Sequence, residues 1–281
     1  MTRAKLLRST WLRSPYDREG RYCTKPNASW VGYRTHFTET CDEQTPRLIT
    51  HVKTSVATEQ DSEVTQSIQA DLVKRDLKPD LHFVDTGYMD AANLVHSQHE
   101  FGIDLLGPMR PDTSWQTKDP EAFDILQFAI NWETRTATCP AGQQSSRWLN
   151  SRSPHGAPVI RVQFSVNTCS ACPVKAHCTH GSRRGLTLRP QLDHEALQAA
   201  RLRETTEVFK QQHHRRAGIE GTLSQGVRRS GLRRSRYIGL AKTHLHCVTT
   251  AVALNVIRAV NWLNEVPLAT TRKARFLSLV A

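Results

Sequence analysis

Between Trp30 and Gly107 the hydrophobic period of the chain switches back and forth, and this switching limits the fold more than any other feature. WVGYRTHFTET and RLITHVKTSV are rich in valine, isoleucine, threonine and aromatics with partial alternation, so each predicts a strand. CDEQTP between them has turn chemistry, and the pair predicts a hairpin. Asp61 then opens a helical pattern with an acidic first turn (Asp61, Glu63) and apolar Val64, Ile68 and Leu72, ending before Pro79. LHFVD predicts a short buried strand, Asp90–His99 a second helix closed by Gly102, and IDLLG at 103–107 a further strand. Strand, helix, strand, helix in that order predicts a βαβ unit with parallel pairing, hence an α/β fold with a mixed sheet flanked by helices.

The rest of the chain divides around this unit. Residues 1–29 are polar and basic and predict a tail or linker, and 266–281 predict another tail. Residues 108–190 are dense in proline, hold four of the seven cysteines and contain short β-like runs such as PVIRVQFSV. They predict an inserted β-rich subdomain between a first core part at 30–107 and a helical completion at 191–265. That completion begins with LDHEALQAARLRETTEVFKQQ and ends in a helix near Leu240–Asn264.

Charge narrows the partners. Lys and Arg number 38 against 26 Asp and Glu, giving +12 and a pI near 9.7, which favours a polyanion and above all nucleic acid. No apolar run approaches the ~18–20 residues of a membrane span, since Val248–Val260 carries Asn255 and Arg258. The first residues lack the apolar core of a secretory signal, although an organelle transit peptide stays open. Cysteines without a secretory signal point to metal or free thiols in a reducing, cytoplasmic compartment.

Two acids then stand out. Asp85 ends the LHFV strand and precedes a sharp Thr86-Gly87 turn. It either caps the next helix or holds something positive, because ligands gather beyond the carboxyl ends of strands in open α/β sheets. Glu220 is the only acid in HHRRAGIEGTLSQGVRR, inside a stretch where residues 201–236 hold ten Lys/Arg and three Asp/Glu. It either pairs with Arg216 one helical turn earlier or helps hold a divalent cation while arginines hold phosphates.

VDTGY, followed much later by RRAGIEGTLSQGVRR, resembles the catalytic core of bacterial insertion-sequence transposases of the DDE type, which have an RNase H-like fold. GYRTHFTET, LITHV and GLRRSRYIGLAKTHLH extend the resemblance over residues 16–265. It implies cleavage and strand transfer at transposon ends, with Asp85 as second acid of a triad and Glu220 as third. Mg²⁺ or Mn²⁺ would be the cofactor, DNA the partner, and a homo-oligomer is admitted. Such in-line displacements at phosphodiesters suit metal ions held by a few carboxylates from distant parts of the chain. The family's Tyr-x2-Arg-x3-Glu-x6-Lys signature reads here His213-x2-Arg216-x3-Glu220-x6-Val227, with Arg228 or Arg229 in reach of the lysine's place.

The first acid of the triad has no counterpart before residue 30. Asp17 lies in polar SPYDREGRY, Asp42 in the hairpin turn and Asp61 at a helix start. The expectation is an amino-terminally truncated transposase, inactive alone, with recruitment of Asp17 as the alternative. The runner-up function is a non-catalytic, zinc-stapled DNA-binding remnant, and a metal-dependent nuclease unrelated to transposition fits the chemistry but not the motif order.

Cys139, Cys169, Cys172 and Cys178 form C-x29-C-x2-C-x5-C, with the CSAC knuckle placing two thiolates on one tetrahedral centre. Four thiolates predict a closed structural Zn²⁺ site stapling the insert. His177 or His180 as a substitute ligand, or a set of unrelated buried thiols, remain open. Arg228, Arg229, Arg233, Arg234 and Arg236 crowd VRRSGLRRSRY and, with Arg216, predict contacts to DNA phosphates. Cys247, in an apolar helical stretch, reads as core.

Overall fold

The computed structural model describes residues 14–26, 28–42, 44–154 and 156–267. β1 (Arg21–Lys25), β2 (Ala28–Glu39) and β3 (Ile49–Val56) form an antiparallel sheet in that order. β1 pairs with the first part of β2, Arg21 opposite Gly32, and β3 with the second, Tyr33 opposite Val56. Gly32 between the two stretches has φ +143°, a bend favouring glycine, so one strand serves two partners. The stretch expected as a tail therefore ends in a strand: alternating RYCTK folds back on β2 through the turn at Pro26. Residues 1–13 of that tail, and all but Val266 and Pro267 of the carboxyl-terminal one, lie outside the described residues.

Helix α1 (Asp61–Lys74) buries Val64, Ile68 and Leu72, the expected stripe, and the Gln60 N–H donates to the Glu63 carboxylate at 2.7 Å. β4 (Leu81–Phe83), α2 (Ala91–Phe101) and β5 (Asp104–Leu106) form the βαβ unit, with the strands parallel and Leu81 opposite Asp104. Gly102 closes α2 in the left-handed conformation, φ 62°. The two halves do not join into the single mixed sheet that the sequence suggests. β4 pairs with β5 and β2 with β1 and β3, and between β2 and β4 runs a cavity of about 600 Å³. Strands of three residues make too few bonds to close that distance by themselves.

Residues 108–190, the stretch expected as an insert, carry five short strands among the described residues. α3 (Trp115–Lys118) leads to the β6 (Ala129–Asn131) and β7 (Thr136–Thr138) hairpin and then to a sheet of β8 (Arg147–Arg152), β9 (Pro158–Gln163) and β10 (Gly185–Leu188), ordered β10-β9-β8. Two short helices, α4 (Val166–Ser170) and α5 (Lys175–Cys178), lie between β9 and β10. The insert has its own core of Phe128, Val162, Phe164, Leu186 and Leu188. After it come α6 (Gln191–Glu204), α7 (Glu207–His214), a 3₁₀ turn at Arg215–Ala217, α8 (Gly218–Ser230) and α9 (Leu240–Leu263). The helix expected from Asp193 onward is thus two helices. Thr205 and Thr206 return their hydroxyls to the carbonyls of Leu202 and Arg203, and the Thr206 hydroxyl also caps Phe209 N–H.

α6 packs back on α2 and lends Leu197 and Ala200 to the core around Val84, Met89 and Leu105. α9 covers β3: Leu254 and Ala251 pack on Ile49, and the Asn255 side chain bonds both the N–H and the C=O of Ile49 at 2.8 and 2.9 Å. Cys247 is buried on the same helix, as expected.

Candidate active site

The βαβ unit and α8 bring the two singled-out acids together. Val84 continues the β4–β5 ladder by donating to the Leu106 carbonyl, and the chain then turns, Tyr88 N–H bonding the Asp85 carbonyl. Among the backbone donors of the described residues, the Asp85 carboxylate accepts only from the adjacent Thr86 N–H, at 2.8 Å, whereas α2 is capped by Asp90 through Ala92 N–H. Capping is therefore not what Asp85 does. Gly87 lets the turn lie against the start of α1, because a Cβ there would meet the Asp61 carboxylate at 2.8 Å.

Glu220 stands in the first turn of α8, and Arg216 one turn before it. The Arg216 guanidinium reaches Asp85 at 3.6 Å and Glu220 at 3.5 Å. Both acids are open to solvent, with side chains 58% and 68% exposed, while Arg216 is 22% exposed. The expected Arg216–Glu220 pair forms, and it does so together with Asp85 rather than in place of it. One guanidinium thus spans two carboxylates drawn from opposite ends of the fold.

Sequence reading missed the residues that fix α8. Glu39 at the end of β2 is 6% exposed and bonds Arg258 of α9 at 2.9 Å. Thr222, two residues beyond Glu220, donates its hydroxyl to Glu39 and also contacts Arg258, whose other nitrogen donates to the Arg47 carbonyl at 2.9 Å. The one available signal was Arg258 itself, a charge inside an apolar helix. His213, where the signature has tyrosine, stacks on Phe209 with ring centroids 5.5 Å apart and bonds the Val84 carbonyl at 3.2 Å, so it buttresses the strand end below Asp85.

Behind the acids lies a buried histidine. His36 bonds the Tyr88 hydroxyl at 2.6 Å and Ser55 at 3.2 Å, and burial pushes it down to about 4, with Arg34 and Lys53 adding to the fall and Asp61 opposing it. The three acids weighed for a first position each have another partner. Asp17 accepts from the Tyr33 hydroxyl at 2.8 Å and from Gly239 N–H, Asp42 meets Arg215 at 3.4 Å, and Asp61 pairs with Arg34 at 2.8 Å. Among the described residues, no group of three or more His, Cys, Asp or Glu side chains is arranged to hold a metal ion.

The four cysteines of the insert nevertheless line one pocket of about 30 Å³. Gln143 N–H points at Cys139 Sγ at 3.4 Å, and Cys169 and Cys172 sit on a tight turn closed by Cys172 N–H to the Cys169 carbonyl at 3.3 Å. Burial raises the Cys178 thiol, Arg184 opposes, and Cys169, Cys139 and Cys172 are near enough to raise it further. Neither His177 nor His180 lines that pocket, and His180 instead stacks on Trp115 at 4.1 Å. Arg229, Arg233, Arg234 and Arg236 are exposed at the carboxyl end of α8 and in the following loop, where Gly231 turns the chain at φ 63°. Arg228 folds back on Ser224 at 2.8 Å.

Fold and site together define an α/β protein with two open carboxylates meeting at an arginine, and an exposed arginine run at the other end of the helix that carries Glu220. Residues 138–260, less than half of the chain, match the family described as Transposase DDE domain, and the match supports a DDE-type transposase. It contains the four cysteines, Arg216, Glu220 and the arginine run, while Asp85 lies outside it. No curated protein and no solved structure matches the chain. Among the described residues no helix is long and apolar enough to cross a membrane.

Proposed function

We propose that the chain is built for metal-dependent cleavage and strand transfer at DNA ends, on an RNase H-like arrangement of its two sheets, with Asp85 and Glu220 as the acids. The observation that carries this is the meeting of the two at Arg216. Mg²⁺ or Mn²⁺ bound there would stabilise the attacking and leaving oxygens of a phosphodiester. The chain's own contribution is placement. Val84 and His213 fix the strand end that carries Asp85, and the Glu39–Arg258–Thr222 network fixes the helix that carries Glu220. Arg216 is set to hold both acids in register before a cation arrives. Arg228, Arg229, Arg233, Arg234 and Arg236 supply guanidinium groups for DNA phosphates.

The four-cysteine pocket supports a structural Zn²⁺ in the insert, since an N–H aimed at a sulfur and a tight Cys-x2-Cys turn are what a thiolate site uses. A second reading, a DNA-binding protein without catalysis, draws on the meeting of two acids rather than three at Arg216.

DNA nicking by the purified chain with Mg²⁺ or Mn²⁺, beside Asp85→Ala and Glu220→Ala, separates the readings. Activity that falls to background in both variants establishes the catalytic site. DNA retention with no activity above the variants establishes the second reading.

A further inference from the structure

The outward face of α9 is apolar where a surface helix is ordinarily charged. Its inward face carries Cys247, Thr250, Ala251 and Leu254, buried towards β2 and β3. On the opposite face stand Leu245, Val252, Val256 and Leu263, which are 62%, 56%, 58% and 72% exposed, with exposed Thr249 among them. At ~100° per residue these five fall within about 60° of one another and opposite Leu254. Between Thr243 and Leu263 the groups that could carry charge turn elsewhere. Arg258 reaches in to Glu39, His244 bonds Thr54 at 3.2 Å, and His246 lies against the Tyr237 ring. A stripe roughly 27 Å long is thus left open to water without a charge along it.

The spacing of the stripe points to what covers it. Leu245, Thr249, Val252, Val256, Ala259 and Leu263 follow one another at alternating intervals of four and three, the repeat with which one helix packs along another. The repeat also reads alike from either end about Leu254: leucine answers leucine, threonine answers alanine, and valine answers valine. A second α9 laid antiparallel therefore sets Leu245 level with Leu263, Thr249 with Ala259 and Val252 with Val256, each pairing occurring twice about one two-fold axis. Charge fixes the same direction. Arg233, Arg234, Arg236 and Lys242 are exposed at the amino end of α9, and Glu265 is exposed just past its carboxyl end. Parallel pairing would set two basic ends side by side. Antiparallel pairing separates them by about 36 Å, well beyond the ~8 Å reach of charges in physiological salt, and brings each Lys242 close to Glu265 of the other copy. Leu245, Val252, Val256, Val260, Trp262 and Leu263, at roughly 60–120 Å² withdrawn from water each, come within reach of the ~800 Å² a side of a standard interface.

We propose that two copies of this chain associate through α9, antiparallel about a two-fold axis beside Leu254, on the seam that runs from Leu245 to Leu263. The association goes beyond the cleavage reading and needs neither DNA nor metal.

The test is analytical sedimentation of the full, nuclease-treated chain from about 1 to about 100 µM in roughly 0.5 M NaCl, where contacts through nucleic acid are screened. The mass should rise with concentration from 31.8 kDa to twice that value. Val252→Lys with Val256→Lys, at positions already open to solvent, should raise the dissociation constant by roughly a hundredfold and leave the far-UV circular dichroism unchanged. Lys242→Glu should weaken the dimer several-fold, and adding Glu265→Lys should restore it. Direction is read by cross-linking. Under mild oxidation a mixture of Leu245→Cys and Leu263→Cys chains should yield a disulfide between those two positions, and Leu245→Cys alone should yield none with itself. A dimer unmoved by the lysine pair, or a Leu245→Cys chain that joins to its own copy, would overturn the proposal. A mass of 31.8 kDa at every concentration would overturn it too, and association gained on removing residues 268–281 would then assign the face to that segment.

Discussion

Arg258 illustrates how one buried charge can govern a distant surface. Its guanidinium is 16% exposed and joins Glu39, Thr222 and the Arg47 carbonyl, linking α9, β2 and α8. Removing one member of such a pair strands the other, which costs roughly 3–5 kcal/mol. Arg258→Met should therefore lower stability by about that amount in urea titration. The double variant with Glu39→Gln should recover a large part of the loss, an interaction term that a double-mutant cycle reads directly. His36 gives a second expectation. Above about pH 6.5 its imidazole is neutral folded and unfolded, and it adds no pH dependence. As the pH falls from there toward about 4, the unfolded chain takes up the proton first and stability drops, by roughly 1.4 kcal/mol per pH unit. Below about 4 the contribution is fully lost and the curve levels. His36→Gln should lessen the fall of the urea midpoint between those limits, with His82, also pushed down to about 4 by burial, carrying part of what remains. Asp85 and Glu220 were legible as residues because each is an acid out of keeping with its neighbours. The network behind Glu220 was not, because Glu39, although inside GYRTHFTET, is far from Arg258 in sequence and no local pattern pairs the two.

At the scale of elements, periodicity carried most of the structure. The hairpin, α1, the βαβ unit and the last helix fall where the hydrophobic spacing places them. Two features did not follow from it. The break between α6 and α7 depends on two threonine hydroxyls competing with the helix, an effect that apolar spacing does not register. The splitting of the sheet depends on what lies beside β2 and β4 in space, which a local pattern cannot contain. The insert offers its own test. If its four cysteines hold Zn²⁺, a chelator should release one equivalent of zinc and melt β6–β10 at a lower temperature while the β1–β3 sheet keeps its exchange protection. Cys172→Ser should lower zinc content and insert stability together, since structural zinc contributes folding energy outright.

For the whole molecule, the net charge of +12 has a direction because the arginine run is exposed at the carboxyl end of α8, the helix whose first turn carries Glu220. DNA affinity should fall steeply with salt, and Arg233→Ala with Arg234→Ala should reduce the slope of log K against log salt by roughly 2. The loss should be nearly the same for any duplex sequence, as phosphate contacts carry no base information. Titration by fluorescence anisotropy across a salt series measures both.

The embrace of β3 by α9 also sets a clock. Ile49 and its partner Asn255 are 206 positions apart. At roughly 5–20 residues per second of synthesis, about 10–40 seconds separate the emergence of one from the emergence of the other. Throughout that interval the newborn hairpin presents Ile49, Phe37 and Val52, the apolar patch destined for Ala251 and Leu254, to whatever is nearby. The yield of soluble protein should thus depend on chaperone supply and elongation speed more than on the thermodynamic stability of the finished chain.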